Sequence, residues 1–240
     1  MSNRPRSLYC RECDTQFEWT QTKANPREPL FCLACAPAQV EKIYQRAVED
    51  VEGFLRTITP PRYQATDTMH PDFNRRLWER VQTWKPTSER PWLGMTGPTG
   101  ESKTRCAFLT FRKINLEMIR RPEYPEDGAW RPSVAVVSAY QFSEAVLGQF
   151  QDEQKASSVE LLRKLRRVQL LMIDDLGKQR NTPAISGELF AMLDHRHAEN
   201  LCTIWTSNST PEGIVSGMSE DMAGPLAGRI RECSTIINLS

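Results

Sequence analysis

The sequence predicts a three-layer α/β fold built on a parallel sheet, preceded by a small module organised by cysteines. Three observations predict it. Short apolar runs of strand length alternate with amphipathic segments of helix length along residues 92–239. One of those runs, Leu170-Leu171-Met172-Ile173, has no polar alternation, the pattern of a strand covered on both faces. Near the N-terminus, Cys10-x-x-Cys13 and Cys32-x-x-Cys35 form two paired knuckles. The predicted units are a ribbon over 1–37, an amphipathic linker helix over 38–59 and a main domain over 60–240.

At 240 residues the chain is long enough for one α/β domain and a small appendage. A charged fraction of 25% and a net charge of +1 fit a soluble protein with no global basic excess, so any nucleic-acid contact must come from a local patch. No apolar run reaches membrane-spanning length and residues 1–8 lack an apolar signal core, which predicts a cytoplasmic protein without a membrane partner. In that reducing compartment the paired cysteines point to metal rather than disulfides.

Taken in order, Cys10, Cys13, Cys32 and Cys35 predict a Cys₄ zinc ribbon, tetrahedral and without an open coordination position, hence structural. Phe17, Trp19 and Leu30 are too few to form a core without the metal. Arg4, Arg6, Arg11, Lys23 and Arg27 leave both DNA contact and protein docking open for the ribbon. Cys106, Cys202 and Cys233 read as small buried hydrophobes. Pro37 is expected to close the ribbon. Val40, Ile43, Ala47, Val51 and Leu55 then recur at helical steps until Pro60-Pro61, and a second amphipathic helix is expected from Pro71 to Trp84.

Gly97-Pro98-Thr99-Gly100-Glu101-Ser102-Lys103-Thr104 lies between an apolar run (Trp92, Leu93, Met95) and a helical segment, the layout of a phosphate-binding loop. Backbone N–H groups at the helix start would face the phosphates. Lys103 would add a cation, Thr104 a hydroxyl for Mg²⁺, and Arg105 completes the nucleotide-contacting set. Ser102 stands where the pattern has a second glycine, and its Cβ is expected to crowd the phosphates. About 70 residues on, Asp174 and Asp175 end a buried strand, where Asp174 would hold Mg²⁺ and Asp175 would activate water.

The rest of the chain carries a Pro-rich loop over 121–132, a strand over 134–137 and helices over 140–150 and 159–168. The last of these has Arg163, Lys164, Arg166 and Arg167 on one side, a solvated face or a nucleic-acid contact. Thr182-Pro183 and Thr210-Pro211 read as helix starts. A strand over 202–208, a short helix around Gly228-Arg229-Ile230-Arg231 and a closing strand over 234–239 bring the strand count to five.

With these segments in place, the chain from about Pro60 resembles the ATPase domain of DnaC-like helicase loaders and of the IstB-like helpers of DNA transposition, both in the AAA+ superfamily of P-loop (ASCE) ATPases. The segments that carry the resemblance are 60–63, 97–104, 170–177, 189–195, 203–208 and 228–231. It implies an ATPase that binds ATP and Mg²⁺, turns over slowly until a partner stimulates it, and assembles into nucleotide-dependent homo-oligomers. It implies Asn208 as the sensor that positions the attacking water, and Arg229 as an arginine finger reaching a neighbouring subunit, with Arg231 as its rival. The partners implied are a replicative helicase or another DNA-processing protein, and single-stranded DNA. No helical lid domain is expected after the closing strand, in keeping with the resemblance to the loader-like group. The expected function is loading of a replicative helicase during DNA replication. The alternatives are a transposition helper and, in a different class, a non-hydrolysing zinc-ribbon adaptor.

Overall fold

The computed structural model describes residues 5–20, 29–119 and 133–239. The Pro-rich loop expected over 121–132, and Arg4, Lys23 and Arg27 of the ribbon, lie outside these residues. The chain forms two compact units, the first chiefly Met1–Val51 and the second Glu52–Met118 with Arg131–Ser240.

In the first unit β1 (Arg6–Tyr9) pairs antiparallel with β2 (Gln16–Trp19). Trp19 is the one buried side chain of the hairpin strands. Pro37 does not close this region: it lies in the first turn of α1 (Ala36–Ile58), where a residue without an N–H costs a helix nothing. Ala47, Val51 and Leu55 are buried and recur every fourth residue on one face of α1, whose residues from Glu52 on are counted with the second unit.

In the second unit, α2 (Pro61–Gln64) is a single turn. The helix expected over 71–84 is confined to α3 (Arg75–Val81), because the Asn74 side chain accepts the Leu77 N–H at 2.9 Å and caps the helix there. Then follow β3 (Trp92–Thr96), α4 (Lys103–Ile119), β4 (Val134–Ser138), α5 (Ala139–Gly148), α6 (Lys155–Arg167) and β5 (Leu170–Asp174). The chain continues with α7 (Pro183–Ala198), β6 (Cys202–Ser207), α8 (Pro211–Ile214), α9 (Glu220–Cys233) and β7 (Ser234–Asn238). The expected helix starts hold: the Thr182 and Thr210 hydroxyls accept the N–H groups of Ile185 and Gly213. Ser138 and Gln141 add a capping box at the start of α5. The last helix is longer than expected, because it runs upstream of Gly228 through Pro225 at the cost of one intrahelical donor.

The five strands of the second unit are all parallel, in the order β4-β5-β6-β3-β7. Leu171 and Ile173 of β5 join a core cluster with α5, α6, α7 and α9, while their neighbours Leu170 and Met172 are equally buried on the opposite face. The sheet is therefore covered on both sides, as its unbroken apolar strands predict. Gly94, in β3, leaves room for the indole of Trp205 on the central strand β6, opposite it in the register; a Cβ there would come within 2.2 Å of the ring. Arg196 is fully buried and donates to the carbonyls of Leu165 (3.0 Å), Val168 (2.8 Å) and Cys202 (2.5 Å) and to the Thr203 hydroxyl (2.9 Å). It ties the C-terminal end of α6, where the helix dipole favours a cation, to the start of β6. Arg166 departs from its expected place on an exposed cationic face: it is half-buried and paired with Glu188 at 2.6 Å, while Arg163, Lys164 and Arg167 are exposed.

Candidate functional site

Two sites emerge, one in each unit. In the first, the sulfur atoms of Cys10, Cys13, Cys32 and Cys35 lie within 4.8 Å of one another, with Cys13 Sγ and Cys32 Sγ 3.7 Å apart. Tetrahedral Zn–S bonds of about 2.3 Å require S···S edges of about 3.8 Å, so the donor set fits zinc in number, chemistry and spacing. The backbone of Cys32 holds the Cys10 thiol down to about 6, and the Thr15 hydroxyl lowers that of Cys13. The Cys35 thiol is pushed up to about 12, foremost by its hydrogen bond with Cys13. Thiolates crowded this closely call for a cation between them. Outside the cluster, Cys106 and Cys233 are buried as expected and Cys202 only partly.

In the second unit, residues 97–102 turn from the end of β3 into α4, and Lys103 opens the helix. The first rung of α4, from Cys106 N to Ser102 O at 2.9 Å, leaves the preceding amides in the turn where a helix supplies no partners of its own. Gly97 has a φ of 140° and its Cα faces Leu239 so closely that a Cβ would come within 2.7 Å of that side chain. Lys103 is buried, and its ammonium donates to the carbonyls of Gly97 (2.7 Å) and Pro98 (2.6 Å). Burial holds its pKa below the usual lysine range.

Ser102 has a φ of 58°, the left-handed conformation that a glycine adopts without strain. Its hydroxyl is turned toward the protein: it accepts from Asn74 N at 3.2 Å and lies 3.4 Å from the Asp72 carbonyl. Beside it the Asn74 amide donates to Glu101 Oε2 at 2.7 Å. Glu101 and Ser102 are thus both fastened to the N-cap of α3, a role that a reading of 71–84 as continuous helix hides.

At the carboxyl end of β5, Asp174 Oδ1 accepts from the hydroxyls of Thr104 (2.8 Å) and Thr206 (2.6 Å). Asp175 has a φ of 58°, and its N–H donates to Thr206 Oγ1 at 3.0 Å. Its carboxylate receives Lys178 Nζ at 2.9 Å. Asn208, just past β6, donates to Thr99 Oγ1 at 3.1 Å, bringing it onto the loop. Residues 99–105, Asp175, Asn208 and Lys178 line one cleft of about 560 Å³, whose other wall includes Tyr63, His70 and Asp72. The Tyr63 ring stacks on Phe108 at 5.1 Å, with the Arg105 guanidinium 5.8 Å from its centroid.

The structure therefore brings together Gly97 through Arg105, Asp174, Asp175 and Asn208. It does not bring Arg229 there: on α9, Arg229 pairs with Asp194 of α7 at 2.8 Å and lies 4.9 Å over the Phe190 ring. Arg231 pairs with Glu212. Sequence reasoning gave no role at the site to Lys178 or to the wall formed by residues 62–73, although 60–63 helped to carry the resemblance. The one available signal for Lys178 was its place three residues after Asp175, in a turn that Gly177 allows.

No family model and no curated protein matches this sequence. Solved structures do match. Domain III of the replication initiation protein DnaA from Thermotoga maritima matches with a TM-score of 0.54 and 18% identity, over 76% of this chain and 69% of that one. A replication initiator DnaA bound to AMPPCP and single-stranded DNA matches with a TM-score of 0.52 and 18% identity, over 75% and 51%. The DnaC helicase loader matches with a TM-score of 0.51 and 18% identity, over 75% of this chain and 100% of that chain. This chain thus spans about half the length of that DnaA chain and of the AMPPCP-bound DnaA from Aquifex aeolicus. The second unit has the fold of the AAA+ P-loop ATPases.

Proposed function

We propose that the chain is an ATP-hydrolysing loader that delivers a replicative helicase to single-stranded DNA. The observation that carries the reading is the meeting of the Thr104 and Thr206 hydroxyls on one oxygen of Asp174, with Thr104 itself lining a phosphate-loop cleft beside Lys103 and Asp175. The similarity to the DnaC helicase loader along that chain's whole length supports the loader assignment.

In this reading Lys103 exchanges two neutral carbonyl partners for phosphate oxygens. Thr104 and Asp174 form an all-oxygen donor set suited to Mg²⁺, which when bound neutralises charge on the outer phosphates. Asp175 takes the proton of a water whose oxygen bonds to the γ-phosphorus as the bond to the β–γ bridging oxygen breaks, leaving ADP and phosphate. Asn208 orients that water. Gly97 to Gly100, with Arg105, hold the rest of the nucleotide. In the first unit, Cys10, Cys13, Cys32 and Cys35 would hold a structural Zn²⁺ that fixes the hairpin.

Arg229 is assigned as the finger that reaches a neighbouring subunit, since within its own chain it sits on α9 against Asp194 and away from the cleft. In trans such an arginine contributes about 10³–10⁵ in rate. Hydrolysis should therefore rise more than linearly with protein concentration, and rise further with single-stranded DNA and a replicative helicase. Mixing Arg229→Ala with Asp175→Asn protein should restore activity that each lacks alone. A specific activity independent of concentration, together with an inactive mixture, overturns the shared site.

A further inference from the structure

Lys178 is a second lysine at the cleft, and its place there is built rather than incidental. Its N–H donates to the Asp175 carbonyl at 3.0 Å, closing a tight turn around Gly177. The Gly177 N–H is held by Gln179 Oε1 at 2.7 Å, and Gln179, itself buried, is anchored to the Ile214 carbonyl at 3.3 Å. The base of the turn is thus fixed, and the Lys178 side chain, half exposed, is the part free to move.

Its ammonium faces the same cleft as that of Lys103, and the two are close enough for the charge of Lys178 to disfavour protonation of Lys103. Two ammoniums held on one cleft repel each other unless an anion lies between them. Their present partners are poor substitutes for one. Lys103 bonds neutral carbonyls, with the Asp175, Glu101 and Asp174 carboxylates favouring its charge only from a distance, and Lys178 has an exposed pair three residues away, a kind of contact that contributes little and exchanges readily.

We propose that Lys178 is a second phosphate-binding cation supplied within the chain. It leaves Asp175 for the terminal phosphate when a nucleoside triphosphate enters, and so uncovers the carboxylate that acts on water. The same side chain that pairs with Asp175 becomes a contact that a diphosphate cannot make. This inference rests on the reading of the cleft as an ATP site.

The test compares affinities for ADP and for the non-hydrolysable analogue AMPPNP, each with Mg²⁺, in the unaltered protein, Lys178→Ala and Lys178→Arg. A charge-assisted bond to phosphate is worth about tenfold or more in affinity. Lys178→Ala should therefore weaken AMPPNP about tenfold while changing ADP by less than about twofold, and Lys178→Arg should recover most of the difference. The melting temperature without nucleotide should stay near that of the unaltered protein, as expected for loss of an exposed pair. Unchanged AMPPNP affinity in Lys178→Ala, or equal weakening of AMPPNP and ADP, overturns the assignment and leaves the ATP reading standing. Failure of the unaltered protein to bind either nucleotide overturns the ATP reading, and this inference with it.

Discussion

The two units of the chain are held together by different means. In the first, the hairpin strands bury little beyond Trp19, and four sulfurs within 4.8 Å of one another are the feature around which the knuckles close. In the second, a five-stranded sheet buried on both faces supplies a continuous core from Trp92 to Ile237. The difference teaches where each unit is vulnerable. A unit organised by a few ligands fails at those ligands and nowhere else. A unit organised by a core spreads its stability, and can carry strained residues such as Ser102 and Asp175 at its cleft.

The largest expected effect follows from that contrast. Structural zinc binding is worth about 10–16 kcal/mol in small ribbons. Chelation, or Cys10→Ser with Cys32→Ser, should release the metal and abolish hydrogen-exchange protection in the hairpin, while the main thermal transition of the second unit persists. A protected hairpin in metal-free protein breaks the comparison. Next, Lys103→Ala should lower ATP affinity at least about a hundredfold, as loss of charge-assisted bonds to two phosphates implies. Zinc content should be unchanged in that variant. Retained ATP affinity refutes the phosphate-loop assignment.

Arg196→Met probes the core of the second unit. It leaves the carbonyls of Leu165, Val168 and Cys202 without their donor, at about 1–3 kcal/mol for each buried acceptor. A loss of about 4 kcal/mol in the second unit's unfolding, with the zinc site intact, is expected; a loss below about 1 kcal/mol contradicts the bracing role. The smallest effect should come from Ser102→Gly. The left-handed backbone costs a non-glycine residue about 1–2 kcal/mol, while the hydroxyl contacts it permits are long. The variant should be as stable as the parent or slightly more so, with ATP affinity raised a few-fold. A clear fall in affinity would show that the tie to Asn74 matters more than the strain.

The parts of the molecule legible in the sequence are those that depend on residue identity at short range. The cysteine spacing, the unbroken run 170–173 with its two carboxylates, and the Thr-Pro helix starts all state their structure within a few residues. The far wall of the cleft does not. Asp72 and Asn74 reach Ser102 and Glu101 from about 30 residues away, largely through backbone groups that any sequence carries. Arg196 was equally hidden, since its partners are mostly carbonyls that meet α7 only in the folded chain, at the end of α6 and the start of β6. The cations of 163–167 illustrate the opposite error: a charge run suggests one uniform face, but the helix turns Arg166 inward to Glu188.

The proposed function depends most heavily on Asp175 as the group that acts on water in an ATP-filled cleft. The most direct measurement is ATP binding and hydrolysis side by side in the unaltered protein and in Asp175→Asn. Asparagine keeps the shape but cannot take a proton, and general bases contribute about 10²–10⁴ in rate. ATP affinity within a few-fold of the parent, with turnover reduced by that factor, is the expected result. Asp175→Asn protein that hydrolyses ATP at the parent rate would contradict it.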